Sequence, residues 1–195
     1  SLIQDKLKFN NKKFNIVCVA SIQKRKGQDL IFCSIKKIIN YMPNIHFHIV
    51  GKEKKPESQE MISKIPKNYM KHFTFHGSKQ NALEYMRASD AMLLPSRSEA
   101  FPRVTLESIA VGTPVIISDV DGNTEQIIDN KTGKVFSNEN CNQMIECIKE
   151  LYNSKELRFK FSDNALNYYL SNFTRQKHIN NFKSFFNNLD LINHY

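Results

Sequence analysis

Residues 95–133 read PSRSEAFPRVTLESIAVGTPVIISDVDGNTEQIIDNKTG, and this stretch decides the fold. Two glutamates, Glu99 and Glu107, stand eight positions apart. Phe101-Pro102 breaks the chain between them and opens a helix, because proline suits a first turn whose N–H has no intrahelical partner. That helix, expected over 102–111, ends at the Gly112-Thr113-Pro114 turn. The β-branched run 115–118 then reads as a buried strand. A carboxylate at a strand exit and another inside the next helix can face one pocket. Such a pocket suits a ligand with several hydroxyls and a phosphate, since carboxylates accept from hydroxyls and helix N-termini attract anions. Taken alone, the same two acids also read as a helix-start charge and a solvent-facing residue.

Toward the N-terminus, residues 14–20 (FNIVCVA), 46–50 (HFHIV), 73–76 and 91–94 are short apolar runs, each expected to be a strand. Between them, Leu30, Ile31, Ile35, Ile38 and Ile39 recur at helical spacing over 28–42. Further helices are expected near 58–65 and over 81–88, the latter with Asn81 as cap. Toward the C-terminus, 123–129 reads as a short helix and 134–136 as a last strand. Residues 140–153, 154–170 and 174–189 follow as amphipathic helices, with Phe182, Phe185, Phe186 and Leu189 on one face. The alternation predicts an α/β fold. Its expected form is a Rossmann-like parallel sheet with helices on both faces and extra C-terminal helices.

The chain has 195 residues, 41% hydrophobic and 24% charged, enough for one domain with a real core. No apolar run approaches the roughly 20 residues needed to cross a bilayer. The first residues, SLIQDKLKFNNKKF, lack the apolar segment of a signal peptide. The expectation is a cytoplasmic chain or a piece of something larger. Cys18, Cys33, Cys141 and Cys147 form no CxxC pair and read as buried free thiols. His46, His48, His72, His76, His178 and His194 form no HExxH pattern, so no metal site is expected. The net charge of +9 admits nucleic acid, anionic lipid or phosphorylated small ligands as partners, beside a merely solvated basic surface. With no RNA- or DNA-binding motif and no aromatic platform, nucleic acid is not expected.

The basic charge is concentrated at two expected strand exits. In SIQKRKGQD, Lys24, Arg25 and Lys26 precede Gly27 and a helix start; in GKEKK, Lys52, Lys54 and Lys55 follow Gly51. In a parallel sheet the two exits share an edge and can converge on one anion. Asp121-Gly122-Asn123 is a turn able to bring the Asn123 and Thr124 N–H groups to a ligand. Arg103 lies at the same helix start as the glutamate pair.

In sequence order, KRKGQDLI, NIHFHIVG, FTFHG, YMRASDAMLLPSRSEAFPRVTLESIAVGTPVI and TEQIIDNKTGKVF resemble the C-terminal domain of the group 1 glycosyltransferases (glycosyltransferase family 4). SEAFPRVTLE is similar to the family's E-x7-E signature. The resemblance covers about 14–136 and implies one half of a GT-B fold. Residues 1–195 would be the donor-binding domain, with the N-terminal acceptor domain absent from this chain. The parent would be a retaining hexosyltransferase that uses a UDP-, GDP- or ADP-sugar, with no cofactor or metal. Its acceptor would be a glycan or lipid, in polysaccharide biosynthesis, in the cytoplasm or at the inner face of the membrane, where an anionic surface is a further partner.

The resemblance also implies roles. Lys26 would bind the donor diphosphate, and Glu99, the catalytic position, would hold hydroxyls of the transferred sugar. Amides around Phe101, Pro102, Arg103 and Val104 would hold hydroxyls and phosphate, and Glu107 the ribose. Gly51, Gly77 and Ser78 would lie near the base. The chain departs from the family where Ser21 replaces an arginine five residues before Lys26, which Arg25 or Lys24 would have to replace, and where Pro102 replaces a glycine. A non-catalytic nucleotide-sugar-binding module is the main alternative; a basic nucleic-acid-binding domain is a weaker one.

Overall fold

In the computed structural model, residues 7–192 are described, with side chains through Phe185. Six parallel strands form one sheet in the order β3-β2-β1-β4-β5-β6. They are β1 (Phe14–Val19), β2 (Ile45–Val50), β3 (Phe73–Gly77), β4 (Ala91–Leu94), β5 (Val115–Ser118) and β6 (Lys134–Phe136). The helices are α1 (Gln28–Tyr41), α2 (Glu57–Ser63), α3 (Ala82–Arg87), α4 (Arg103–Ala110), α5 (Asp121–Thr124), α6 (Cys141–Asn153), α7 (Lys155–Asn172) and α8 (Arg175–Ile192).

Most strand positions are apolar on both faces because both faces are covered, with Asn15, His46 and His48 among the buried polar exceptions. Ile16 and Cys18 of β1 face a core built with α1, α2 and α6, while Val17 faces a second core with α3, α4 and α7. The Rossmann-like expectation is therefore met, helices on both faces included. The strand order reverses between β1 and β4, and in such sheets the crevice for ligands opens at that reversal, beyond the carboxyl ends of the strands.

Local details depart from the sequence reading. Pro102 is extended (ψ 114°) and stands just before α4 rather than in its first turn. Asn81 occupies the cap position of α3 without a side-chain capping bond. The short helix expected over 123–129 lies instead at Asp121–Thr124, because the Asn123 side chain bonds back to Ser118 and turns the chain early. Two 3-10 turns, Lys24–Lys26 and Lys67–His72, carry no apolar periodicity that would have announced them. Cys33 is exposed on α1 and Cys141 only half-buried, contrary to the reading of four buried thiols. Burial pushes the Cys18 thiol up to about 12 and that of Cys147 to about 11, so both are inert hydrophobes at neutral pH. On α8, Phe182 and Phe185 are exposed, whereas the Phe186 and Leu189 side chains lie outside the described residues.

One buried polar cluster makes a measurable prediction. His46 and His48 on β2 are 8% and 6% exposed, and His76 on β3 stands beside them. Asn15 donates through Nδ2 to the Asn10 and Lys13 carbonyls, so its Oδ1 is left to accept from His48 Nε2 at 3.2 Å. His48 Nδ1 must then accept from His76 Nε2 at 3.0 Å. His46 Nδ1 accepts from the Lys13 ammonium at 3.2 Å, and Nε2 bonds Thr74 Oγ1 at 2.8 Å. Phe9 stacks on His48, and Tyr85 meets His76 edge-on. The network suits neutral rings. Burial, with smaller repulsion from neighbouring cationic groups, holds His46 at about 4 and His48 at about 3.

These rings bind protons in the unfolded chain below its pKa near 6.5, but in the folded one only near 4 for His46 and near 3 for His48. Their stabilisation is thus complete above roughly pH 6.5 and is lost as pH falls, by about 1 kcal/mol per pH unit for each ring. The melting temperature should fall steeply between pH 6.5 and 4.5, and His48→Gln should flatten that slope. A flat profile over this range in the unsubstituted chain would contradict the neutral network.

Candidate functional site

The reversal of strand order places the exit of β1 beside the exit of β4. Beyond β1 the chain forms the Lys24–Lys26 turn, which closes when the Gly27 N–H donates to the Lys24 carbonyl. Gly27 then starts α1 at φ 70°, and a Cβ there would stand 1.7 Å from the Pro95 carbonyl oxygen. Only glycine permits both the left-handed backbone and this approach. The backbone N–H of Arg97 donates to the Arg25 carbonyl at 2.8 Å, which links the two exits directly.

That contact aligns the side chains. Lys26 Nζ lies 2.5 Å from Glu99 Oε1, and the Ser96 hydroxyl donates to the same oxygen at 2.7 Å. The Arg25 guanidinium donates to the Ser98 carbonyl at 2.8 Å and stands 3.9 Å from Glu99 Oε2. The Glu99 side chain is 7% exposed and that of Lys26 15%. A lysine, an arginine and a carboxylate thus meet beyond the exits of β1 and β4. The cations can stabilise negative charge on a departing phosphate, and the carboxylate can accept from hydroxyls.

The loop carrying Glu99 is held from beneath. Ser118 Oγ donates to the Ser96 carbonyl, and Asn123 Nδ2 donates to the Ser118 carbonyl at 2.9 Å. The Gly122 N–H donates to the Glu99 carbonyl at 3.2 Å, and a Cβ on Gly122 would come within 1.9 Å of the Ala100 oxygen. Asn123, read from sequence as a potential ligand contact, is instead fully buried, and its N–H bonds the Val120 carbonyl. Thr124 turns its hydroxyl to the Asp121 carbonyl.

The other sequence candidates fall into two further places. Arg103 and Glu107 pair at 3.3 Å along α4, the arginine 88% exposed and the glutamate 34%. Both line an open groove of about 270 Å³ with Leu83, Leu106 and Tyr169. Phe101 is exposed at the start of α4, its ring 6.0 Å from that of Phe173, while the Val104 side chain is half-buried. Gly51 and Gly77 meet at the exits of β2 and β3, where the Gly51 N–H donates to the Gly77 carbonyl at 2.9 Å, and Ser78 follows, exposed. The GKEKK exit does join the β1 exit, through Ile22 N–H to the Lys52 carbonyl at 2.9 Å. Its lysines, Lys52, Lys54 and Lys55, are exposed.

Arg97 escaped the sequence reading. Its guanidinium grips both oxygens of Asp29 at 2.8 and 2.9 Å, donates to the Lys24 carbonyl at 2.5 Å and bonds Glu139 at 2.7 Å. Hydrogen bonding to Asp29 above all drives its pKa above the usual arginine range. The only local signal was an arginine two residues before Glu99. Among the described residues, no group of three or more His, Cys, Asp or Glu could hold a metal ion, and no helix is long and apolar enough to cross a membrane.

Comparison with known proteins agrees with this architecture. An uncharacterized glycosyltransferase of Methanocaldococcus jannaschii is 30% identical over 166 residues, which is 84% of this chain and 45% of that protein. The lipopolysaccharide glucosyltransferase WaaG of Escherichia coli is 31% identical over 129 residues, 64% of this chain and 33% of that protein. The chain therefore spans less than half the length of these relatives. Among solved structures, Anabaena HepE in complex with UDP and glucose superposes with a TM-score of 0.80 at 18% identity, covering 89% of this chain and 49% of that one. The C-terminal domain of the Francisella tularensis group 1 protein LpcC gives 0.75 at 19% identity, covering 87% and 96%. The model of the family described as glycosyl transferases group 1 matches residues 1–168. With a GT-B-like parallel sheet and this match over most of its length, the chain belongs to the group 1 glycosyl transferases.

Proposed function

We propose that residues 1–195 are the donor-binding half of a retaining hexosyltransferase that takes its sugar from a nucleotide diphosphate. The observation that carries this reading is the convergence of Lys26, Arg25 and Glu99 at the reversal of strand order. In this reading Lys26 and Arg25 hold the diphosphate, with Arg25 supplying the cation that Ser21 lacks. Glu99 accepts from hydroxyls of the transferred sugar beside the reacting carbon. The N–H groups at the start of α4 take phosphate and hydroxyl oxygens, with Phe101, Arg103 and Val104 around them and Pro102 contributing none. Glu107 holds the ribose, and the Gly51, Gly77 and Ser78 backbone borders the base. The leaving diphosphate is stabilised electrostatically, without a metal.

An N-terminal half would supply contacts to the acceptor, a glycan or lipid of polysaccharide biosynthesis, in the cytoplasm or at the anionic inner face of a membrane. The UDP and glucose of the Anabaena structure support a nucleotide sugar as the donor class.

A ligand that binds only the folded state at a hundred times its Kd adds about 2.7 kcal/mol of stability. UDP-, GDP- and ADP-sugars at millimolar concentration should therefore be screened by thermal melting. One of them is expected to raise the midpoint by several degrees. No shift with any nucleotide diphosphate or its sugar counts against a donor site. A shift without sugar transfer, once the N-terminal half is supplied, favours a non-catalytic binding module.

A further inference from the structure

We propose that the Lys26–Glu99 ion pair is an internal competitor that selects for a ligand carrying phosphate and hydroxyls together and against one carrying phosphate alone. The inference rests on the donor-site reading above but makes its own demand on these side chains.

Lys26 offers three donors and Glu99 Oε1 already receives two, from Lys26 at 2.5 Å and Ser96 at 2.7 Å. An anion that takes the Lys26 ammonium for itself draws it off this carboxylate. Glu99, 7% exposed, would then keep Ser96 on one oxygen and the more distant Arg25, at 3.9 Å, by the other. A shielded carboxylate that loses its main cation is costly, and water reaches it too poorly to compensate. Phosphate binding is weakened by that cost.

A ligand that also presents hydroxyls avoids it. Its phosphate takes Lys26 while its hydroxyls donate to the carboxylate oxygens that Lys26 leaves. The two half-sites are therefore coupled through one ion pair, and each moiety makes room for the other. The loop geometry favours exchange of partners over wholesale opening. Backbone bonds from Arg97 to Arg25 and from Gly122 to Glu99 hold both main chains in place while the two side chains part. The intact sugar nucleotide is thereby favoured over the nucleotide that leaves after transfer.

Inorganic pyrophosphate is the probe, because it presents the anion with no sugar and no base. Binding to the full chain is measured by calorimetry for the unsubstituted protein, Glu99→Gln, Glu99→Ala and the Lys26→Met/Glu99→Gln double variant, each checked for folding by circular dichroism. Glu99→Gln preserves shape and can still accept from Ser96. It is expected to bind pyrophosphate about tenfold more tightly, since the competing charge is gone. Glu99→Ala, which needs no partner for its side chain, should show the same gain. The double variant should lose it, which routes the gain through Lys26. Equal or weaker binding in both Glu99 variants overturns the inference, as does a gain that survives loss of Lys26. A gain in pyrophosphate affinity with no response to any nucleotide sugar upholds the competitor and sinks the donor-site reading. A nucleotide-sugar response without the gain does the reverse.

Discussion

Replacing Gly27 with alanine is expected to lower the thermal midpoint by about 10 °C and to abolish the response to nucleotide sugar. Two costs add. A residue with a Cβ pays about 1–2 kcal/mol to hold a left-handed backbone, and Gly27 sits at φ 70°. The larger cost is steric. The new Cβ would fall 1.7 Å from the Pro95 oxygen and 2.7 Å from its carbonyl carbon, and both atoms are backbone. No rotamer relieves such a contact, so the Lys24–Lys26 turn must move off the β4 exit. Overpacking of this kind costs about 1–3 kcal/mol. The movement would also draw Lys26 away from Glu99.

Gly77 supplies the control. It has the same sign of φ, 68°, but nothing within 4 Å of where a Cβ would stand. Gly77→Ala should therefore cost only the backbone share, about 1–2 kcal/mol. If the two variants melt alike, close approach to Pro95 is not what position 27 demands.

Arg97→Met is the second large effect, with an expected loss of about 2–3 kcal/mol, or roughly 5–10 °C. Arg97 and Asp29 are 20% and 17% exposed, so the pair is shielded without being sealed. Removing one partner of a buried pair costs about 3–5 kcal/mol because the other charge is stranded, and the residual access to water reduces that figure. The Lys24 carbonyl also loses a donor. Lysine at position 97 should recover little, since one ammonium cannot reproduce the planar fork that grips both Asp29 oxygens.

The combination Arg97→Met/Asp29→Leu removes both charges and should regain part of the loss, a non-additivity readable in a double-mutant cycle. Nucleotide-sugar affinity should fall about tenfold in Arg97→Met, because the loop that presents Glu99 is no longer buckled to the Lys24–Lys26 turn. A melting point within a degree of the unsubstituted protein would show that the buckle contributes nothing.

Much of this molecule was legible in one dimension. The strands announced themselves as short, mostly apolar runs, and all six lie within a residue or so of their expected positions. Helix α1 was visible as a 3.6-residue stripe whose members Leu30, Ile31, Ile35 and Ile38 are indeed buried. Such signals are local, since period and turn chemistry act over a few residues. The illegible parts depend on which side chain meets which, five positions apart at Asn123 and Ser118 or far along the chain at Arg97 and Asp29. The helix near Asp121 begins early because Asn123 reaches back to Ser118. Arg97 drew no reading of its own, because its carboxylate partner, Asp29, is 68 positions away. Cys33 fell in a stretch of helical pattern, yet it lies on the outer side of α1.

The amino-acid sequence alone determined the class of fold, the alternation of its elements, the concentration of cations before Gly27 and the spacing of Glu99 and Glu107. Each follows from side-chain type and short-range periodicity, which need no knowledge of what packs where. Only the tertiary structure decided that Lys26 and Glu99, 73 positions apart, would bond to each other, and that Arg97 would fasten the loops that carry them. The physical reason is the reversal of strand order between β1 and β4. It sets two exits side by side whose residues share no local pattern, and there the contact distances, not the spacing in sequence, settle which charges pair.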